Sequence, residues 1–496
     1  MDTLQGMFRS LLIANRGEIA LRVLRTAREM SLTTIAVYSD ADRDSLPVRE
    51  ADRAVHLGGS APADSYLRSD LILEAALAEG AEAIHPGYGF LAENAAFARA
   101  VDQAGLAFIG PTPEAIEVMG DKVQARKAAL AAGVPIIPGL DDEEAAPEDL
   151  LGAALEIGYP VMLKAAAGGG GKGIRIVESE KELEEAARLA TAEAEAAFGD
   201  GRVYLEKYLR RPRHVEVQIL ADQHGKVTSY GERECSVQRR HQKLVEESPS
   251  PAVDAALRTR MEEAARVLAR AVGYVGAGTV EFLVSEGEFY FLEMNTRLQV
   301  EHAITEERFG VDLVREQLRV AAGLEAKDAE PPRGHSIEVR INAEDPVSFL
   351  PSLGKLGQVR MPGGRGVRVD SAVFPGAEVT PFYDSMLAKL IVHAADREAA
   401  IDRMLRALAE LKLVGVKTSI PIAARALDSA PFRSGDYDTG ILAGIPLEHS
   451  PEDMEMACIA AAYARYRRLL NGQQGSRKGP MRASAWTLAG RQEGRS

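Results

Sequence analysis

The chain has 496 residues, 46% of them hydrophobic and 27% charged, an ordinary globular composition with room for about three domains, each with its own core. A formal net charge of −14 argues against general affinity for nucleic acid or anionic membranes, so an anionic ligand needs a local basic pocket. Two cysteines without metal-ligand spacing, no apolar run near the ~18 residues of a membrane span and no signal peptide lead to the expectation of a reduced, cytoplasmic protein.

In chain order, residues 10–14 read as a buried strand, followed by a helix to about Met30 and a strand over 34–38. A helix over 69–79 and short strands near Ala83 and Phe108 continue the alternation, the pattern of an α/β layer with a parallel sheet. The first turn, Asn15-Arg16-Gly17-Glu18, lacks the glycine fingerprint of dinucleotide binders. His85-Pro86-Gly87-Tyr88-Gly89-Phe90 reads as a rigid loop at a strand end, where such sheets place ligands. Tyr88 itself reads equally well as a ligand contact or as loop packing.

A helix over 121–132 ends at Gly133, and the acidic run 141–149 marks a boundary. The next unit is a hairpin: strand 161–165, a loop holding Gly168, Gly169, Gly170, Gly171, Lys172 and Gly173, then strand 174–177. Successive glycines let backbone N–H groups approach an anion, and Lys164 and Lys172 add charge. A P-loop is excluded because Ala166 stands where its first glycine belongs, and a dinucleotide loop because a strand follows rather than a helix. A flexible lid over nucleotide phosphates is favoured over a linker, since two β-branched strands flank the loop. Ser179-Glu180-Lys181-Glu182 is a capping box opening a helix to about Phe198. Strand 203–206 runs into Lys207-Tyr208-Leu209, a place for the chain to cross an adenine. After a strand over 214–220, residues 232–243 are dense in Arg, Gln and His and read as an extended loop with Gln238, His241 and Lys243 on one face.

A helix over 252–272 precedes strands 279–284 and 289–292, joined by Ser285-Glu286-Gly287-Glu288. A three-residue loop centred on Gly287 sets Glu281 directly opposite Glu293. Opposed like charges repel, so a bound cation explains the pair, and two carboxylates with the Asn295 amide suit Mg²⁺; the plainer reading is a solvated hairpin face. A helix over 311–322 leads to a second boundary at Pro331-Pro332-Arg333-Gly334. In strand 336–342, Glu338, Arg340 and Asn342 share a face, and Arg340 taken alone reads as a surface ion-pair residue. Strands near Val359, over 367–369 and over 387–393, and a helix over 397–411, complete a mixed domain. The tail has a helix over 454–470 and a basic end, whose Trp486 is a candidate for docking on a partner.

Taken together, these motifs resemble biotin carboxylase, the ATP-grasp component of biotin-dependent carboxylases, over residues 8–446. The resemblance rests on Asn15-Arg16-Gly17-Glu18-Ile19-Ala20, residues 85–93, the glycine loop, Arg239-Arg240-His241-Gln242-Lys243, residues 293–302, residues 340–346 and Tyr383-Asp384-Ser385-Met386. Ala167 and Lys172 depart slightly from the family's loop. The implied fold is α/β, of the α+β ATP-grasp kind: a Rossmann-like N-terminal domain (1–120), an ATP-grasp domain (121–330) with its glycine-rich lid at about 136–208, a mixed C-terminal domain (331–446) and a basic tail (447–496).

The resemblance also implies roles. Lys122, Lys164 and the glycine lid would hold ATP phosphates; Glu206, Lys207 and Leu209 would meet adenine; His214, Gln238 and His241 would line the nucleotide pocket. Glu281, Glu293 and Asn295 would bind Mg²⁺, with Mn²⁺ an alternative. Lys243, Arg297, Gln299 and the Val300 backbone would bind bicarbonate, with Glu301 as general base. Arg340 would stabilise the biotin enolate, bordered by Tyr88 and Asp384. Biotin is expected on a separate carrier protein, because none of the 13 methionines is followed by lysine. A carboxyltransferase and a second copy of the chain are the other expected partners. The rivals are another ATP-grasp ligase, of the carbamoyl-phosphate type, and a non-catalytic ATP-binding protein.

Overall fold

The computed structural model describes residues 8–140, 147–165, 175–198, 203–239 and 242–446, with parts of a helix between 455 and 467. The glycine loop from Gly168 to Gly173 (with Lys172), His241, Trp486 and parts of the predicted tail helix lie outside the described residues. The chain divides into two compact units, Met1–Ile445 and Pro446–Ser496. In the second, Met456, Ile459, Tyr463 and Tyr466 are exposed on helical backbone. No helix among the described residues is long and apolar enough to cross a membrane.

The first unit opens with β1 (Ser10–Ile13), β2 (Thr33–Ser39), β3 (Arg53–Gly58), β4 (Ala83–His85) and β5 (Ala107–Phe108). They pair in parallel in the order β3-β2-β1-β4-β5. Alternate residues of β1 serve two cores: Leu11 and Ile13 meet the helix Gly17–Glu29, while Leu12 joins Ile35, Val37 and the helix Ser69–Ala78. Burial on both faces is why these strands read as continuous apolar runs. At their carboxyl edge the two predicted loops lock together. Asn15 Nδ2 donates to the carbonyls of Pro86 (2.7 Å) and Tyr88 (2.8 Å). Gly87 sits at φ +65°, and a Cβ there would lie 2.9 Å from Asn15 Nδ2, so a side chain is excluded.

A four-stranded sheet follows, built from β6 (Gly139–Leu140), β7 (Val161–Ala165), β8 (Arg175–Val177) and β9 (Val203–Lys207) in the order β6-β9-β7-β8. Val161, Leu163, Val177 and Leu205 pack with Leu183 of the helix Glu180–Phe198. Its predicted capping box forms with a shift: Ser179 Oγ donates to Glu182 Oε1 at 3.1 Å, and Glu182 accepts the Glu178 N–H at 3.2 Å.

The largest sheet begins with β10 (Arg213–Ala221), β11 (Val227–Arg239), β12 (Gln242–Ser248), β13 (Gly276–Ser285), β14 (Glu288–Asn295) and β15 (His335–Asn342). Five shorter strands and one long one follow: β16 (Gly354–Lys355), β17 (Gln358–Arg360), β18 (Val367–Ser371), β19 (Glu378–Val379), β20 (Met386–Ala394) and β21 (Lys412–Val414). Eight of these strands form one antiparallel sheet, β14-β13-β10-β11-β12-β15-β20-β18, which runs unbroken across the boundary predicted near residue 330. The stretch read as an extended loop, 232–243, is corrected: 232–239 belongs to β11, and Gln242 and Lys243 open β12.

The hairpin β13–β14 pairs Glu281 with Glu293, as expected, but by a different route. The turn has two residues, Glu286 (φ 53°) and Gly287 (φ 80°), both left-handed as a primed hairpin turn requires. The register then shifts between Glu281 and Phe282, leaving Leu292 as an extra residue on β14. Leu292 is 41% exposed and faces the cleft.

Candidate active site

A cleft of about 1380 Å³ opens beside the polar face of the large sheet. Its walls bring together Tyr88, Lys122, Lys164, His214, Gln238, Lys243, Glu281, Glu293, Asn295, Arg297, Gln299, Val300, Glu301, Arg340 and Asp384, all singled out from the sequence. Glu206, Lys207 and Leu209 are not among the lining residues. The Glu206 backbone lies within the β6-β9-β7 ladder, its carboxylate accepts from Lys164 and Arg126, and Lys207 Nζ donates to the Gly158 carbonyl at 2.8 Å.

The two opposed carboxylates differ sharply in surroundings. Glu281 is buried and receives four donors: His214 Nε2 (2.7 Å), Lys243 Nζ (3.0 Å), Asn295 Nδ2 (2.9 Å) and Gln299 Nε2 (2.7 Å). Burial alone would raise its pKa, but Lys243 and His214 hold it well below the usual carboxylate range. Glu293 is accessible in the cleft and makes no hydrogen bond or ion pair among the described residues. Its pKa is pushed up, by desolvation first and by the Glu281 charge second. An unpartnered carboxylate in the cleft, facing another across a ladder, offers the hard oxygen ligands that suit Mg²⁺ or Mn²⁺. The Asn295 oxygen accepts from Arg297 Nη2 at 2.9 Å, so it would join a metal only by sharing that bond.

Glu301 caps the helix His302–Phe309 and sends its two oxygens to different cations: Oε1 to Lys243 Nζ at 2.6 Å and Oε2 to Arg340 Nη2 at 2.9 Å. Desolvation would raise its pKa, yet Lys243 and Arg340 hold it well below the usual carboxylate range. Lys243 also contacts Glu216 at 2.6 Å. Burial would lower the Lys243 pKa, and the surrounding acidic groups drive it well above the ordinary value. Arg340, which alone reads as a surface residue, is half-buried between Glu246 (2.6 Å) and Glu301. Beyond it the environment inverts. Glu338 is opposite Glu246 in the β12–β15 ladder, neither of its oxygens has a hydrogen-bond partner among the described residues, and burial pushes its pKa far up. Within this polar layer, Glu281 and Glu301 beside cations are pushed down and Glu338 without a hydrogen-bonding cation is pushed up.

Arg297 and Gln299 point to partners that the sequence did not reveal. Arg297 Nε donates to Glu93 Oε2 at 2.8 Å, and Glu93 Oε1 accepts the Thr296 N–H at 3.1 Å, so the parallel-sheet side of the molecule holds this loop. Gln299 spends both ends of its amide inside the protein, accepting from Arg233 (2.8 Å) and donating to Glu281. Gln299 thus lines the cleft while a buried arginine and Glu281 fix the orientation of its amide. Arg233 uses its guanidinium on Glu216 (2.5 Å), Gln218 (2.6 Å), Thr305 (3.0 Å), Thr279 (3.0 Å) and Gln299. The Val300 carbonyl accepts from Lys389 at 2.8 Å, and its N–H has no partner among the described residues. On the nucleotide side, Gln238 Nε2 donates to His214 Nδ1 at 3.0 Å, which leaves His214 Nε2 as the donor to Glu281. Tyr88 donates to Glu18, which fits the packing reading, and it also lines the cleft. Asp384 is exposed at the rim, its Oδ1 accepting the Met386 N–H at 2.8 Å.

Comparison with known proteins bears directly on this geometry. Residues 121–328 match a family described as the ATP-binding domain of the carbamoyl-phosphate synthase L chain. Residues 7–116 and 338–444 match the biotin carboxylase N-terminal and C-terminal domains. The fold and site define an ATP-grasp enzyme. The chain belongs to the biotin carboxylase family. It is 53% identical over 437 residues to a pyruvate carboxylase subunit of Methanothermobacter thermautotrophicus, covering 87% of this chain and 89% of that one. It is 51% identical over 440 residues to a biotin carboxylase of Halalkalibacterium halodurans, covering 88% and 97%. Among solved structures, it is similar to the biotin carboxylase domain dimer of Hydrogenobacter thermophilus 2-oxoglutarate carboxylase, in complex with MgADP, ADP and bicarbonate. That match has 46% identity, a TM-score of 0.80 and coverage of 90% of this chain and 99% of that one.

Proposed function

We propose that this chain carboxylates biotin presented on a separate carrier protein, using bicarbonate, ATP and Mg²⁺, as the first half-reaction of an acyl-CoA carboxylase. The observation that carries the reading is the sharing of Glu301 between Lys243 and Arg340, in the same cleft as the Glu281–Glu293 pair. An oxyanion clamp, a carboxylate base and a hard-cation site serve little purpose together in a protein that only senses nucleotide.

Bound at Glu281 and Glu293, Mg²⁺ would offset the charge of the transferring phosphoryl group. Lys122 and Lys164 serve the phosphates, and His214 and Gln238 border the nucleotide. Lys243, Arg297 and the Val300 N–H receive bicarbonate. As Lys243 and Arg340 turn part of their charge from Glu301 to the incoming anion, its depressed basicity recovers and it takes the bicarbonate proton. The bicarbonate oxygen then attacks the γ-phosphorus and ADP leaves. Carboxyphosphate splits to CO₂ and phosphate; the phosphate accepts the biotin ureido proton, and the nitrogen adds to CO₂. Arg340 stabilises the enolate form of the ureido group, with Tyr88 and Asp384 beside it. The domain limits expected from the sequence, a cytoplasmic location, a homodimer and a carboxyltransferase partner belong to the same reading.

Pyruvate is a second candidate for the final acceptor, because the relative at 53% identity is named as part of a pyruvate carboxylase. Pairing this protein with the same biotinylated carrier and with carboxyltransferases of either kind tells the two apart by which acceptor is carboxylated. The reading as a whole is tested by ADP release. It should require bicarbonate and rise on adding biotin or biotinylated carrier; release indifferent to both would refute it.

A further inference from the structure

The cation that grips the Val300 carbonyl belongs to none of the motifs that mark the site. Lys389 lies in the middle of β20 with its side chain fully shielded from solvent. It stands directly opposite Arg340 of β15 on one side and Asp370 of β18 on the other. Two cations opposed in a ladder repel, and a buried ammonium is costly unless it is paired and hydrogen-bonded. The arrangement makes sense from what the two reach. Arg340 Nη2 donates to Glu301 Oε2 at 2.9 Å, and Lys389 Nζ donates to the preceding carbonyl, Val300 O, at 2.8 Å. Glu18 Oε1 at 3.5 Å and Asp370 Oδ2 at 3.8 Å supply the counter-charge, from the helix Gly17–Glu29 and from β18.

A peptide group is planar, so anchoring its carbonyl also aims its N–H and the residue that follows. In this turn two successive peptide planes are anchored separately. The Gln299 carbonyl bonds His302 Nδ1 at 2.7 Å, which sets the direction of the Val300 N–H. The Val300 carbonyl bonds Lys389, which sets the start of Glu301. We propose that Lys389 is a positioning residue for the carboxylation reaction: it holds the Val300–Glu301 peptide so that Glu301 and Arg340 meet bicarbonate in register. The inference rests on the biotin carboxylase reading above, with Glu301 as base.

The test is a separation of kinetic constants. Lys389→Met keeps the length of the chain and removes the ammonium. The expected result is a fall of about 10²-fold in kcat/KM for bicarbonate, the scale of a catalytic group misplaced by about 1 Å, with the KM for ATP within about twofold of wild type. If Lys389→Met does not fold, Lys389→Gln keeps a polar head near Glu18 and Asp370 but is one bond too short to hold the carbonyl, and the same split is expected. Bicarbonate and ATP constants that move together, or a bicarbonate constant that stays at the wild-type value, would overturn the role of Lys389 while leaving the enzyme's reading intact. A wild-type chain without bicarbonate-dependent ATP cleavage would overturn both.

Discussion

The parallel sheet β1–β5 and the antiparallel sheet that carries the cleft are both deeply buried, but different interactions hold them. In the first, Leu11, Leu12, Ile35 and Ile84 are wholly enclosed in apolar contacts. In the second only one face is apolar: Val215, Val217, Val280 and Phe282 pack under the helix Ala255–Ala271. The other face buries Glu216, Arg233, Glu246 and Glu338, all without solvent access. An apolar layer degrades in proportion to the volume removed. A buried ionic layer fails when one partner is removed, because the survivor is left charged and dry. The chain thus keeps a tolerant scaffold beside an intolerant site, and it stations Glu93 and Glu18 of the scaffold against Arg297 and Lys389 of the site.

That contrast can be broken most severely at Glu301. Glu301→Gln should abolish biotin-dependent ATP cleavage while leaving ATP affinity nearly unchanged, because its partners are Lys243 and Arg340. A collapse of nucleotide affinity would reassign Glu301 to the nucleotide or the metal. Next comes Glu293→Gln, which removes the carboxylate that makes no hydrogen bond or ion pair among the described residues. A drop in kcat on the order of 10² or more is expected at saturating Mg²⁺, and a near-wild-type rate would remove Glu293 from the metal site.

The stability side is sharpened by pairing two substitutions. Arg233→Met strands Glu216 and four other polar partners and should cost about 3–5 kcal/mol in denaturant unfolding. Ile35→Val in the parallel sheet should cost only about 0.5–1.5 kcal/mol and leave the kinetics alone. Comparable losses at the two positions would erase the distinction between the layers.

Acid provides an intermediate probe. Burial would raise the pKa of Glu247, but hydrogen bonds from His335 and Arg397 bring it down to about 2 from an ordinary 4.5. A depressed carboxylate stabilises the fold fully above its unfolded pKa, so this contribution persists above about pH 4.5 and drains away as pH falls toward 2. Between about pH 5 and 3, wild type should lose unfolding free energy faster than Glu247→Gln; parallel slopes would deny Glu247 this role.

The same contrast governs what could be read from the sequence. Strands β1, β2 and β13 announce themselves through apolar residues, and the spacing of Glu281 and Glu293 around Gly287 is visible in one dimension. β11 and β12 were hidden because Glu232, Arg233, Glu234, Gln238 and Lys243 resemble a solvated loop. Their partners, Arg258, Glu216, Arg213, His214 and Glu301, are distant in sequence. The bond that fixes the Gln299 amide comes from Arg233, which carries no signal of its own. The shift at Leu292 compensated for a turn one residue shorter than expected, so the predicted pairing emerged from the wrong loop length.

Transfer of carbon from bicarbonate to biotin is measured most directly with isotopically labelled bicarbonate. The chain is incubated with Mg²⁺, ATP and a biotinylated carrier, and label on the carrier's biotin is compared with ADP formed. Label should appear on biotin in proportion to ADP and be lost in Glu301→Gln. ADP formed with no label on biotin would contradict that transfer.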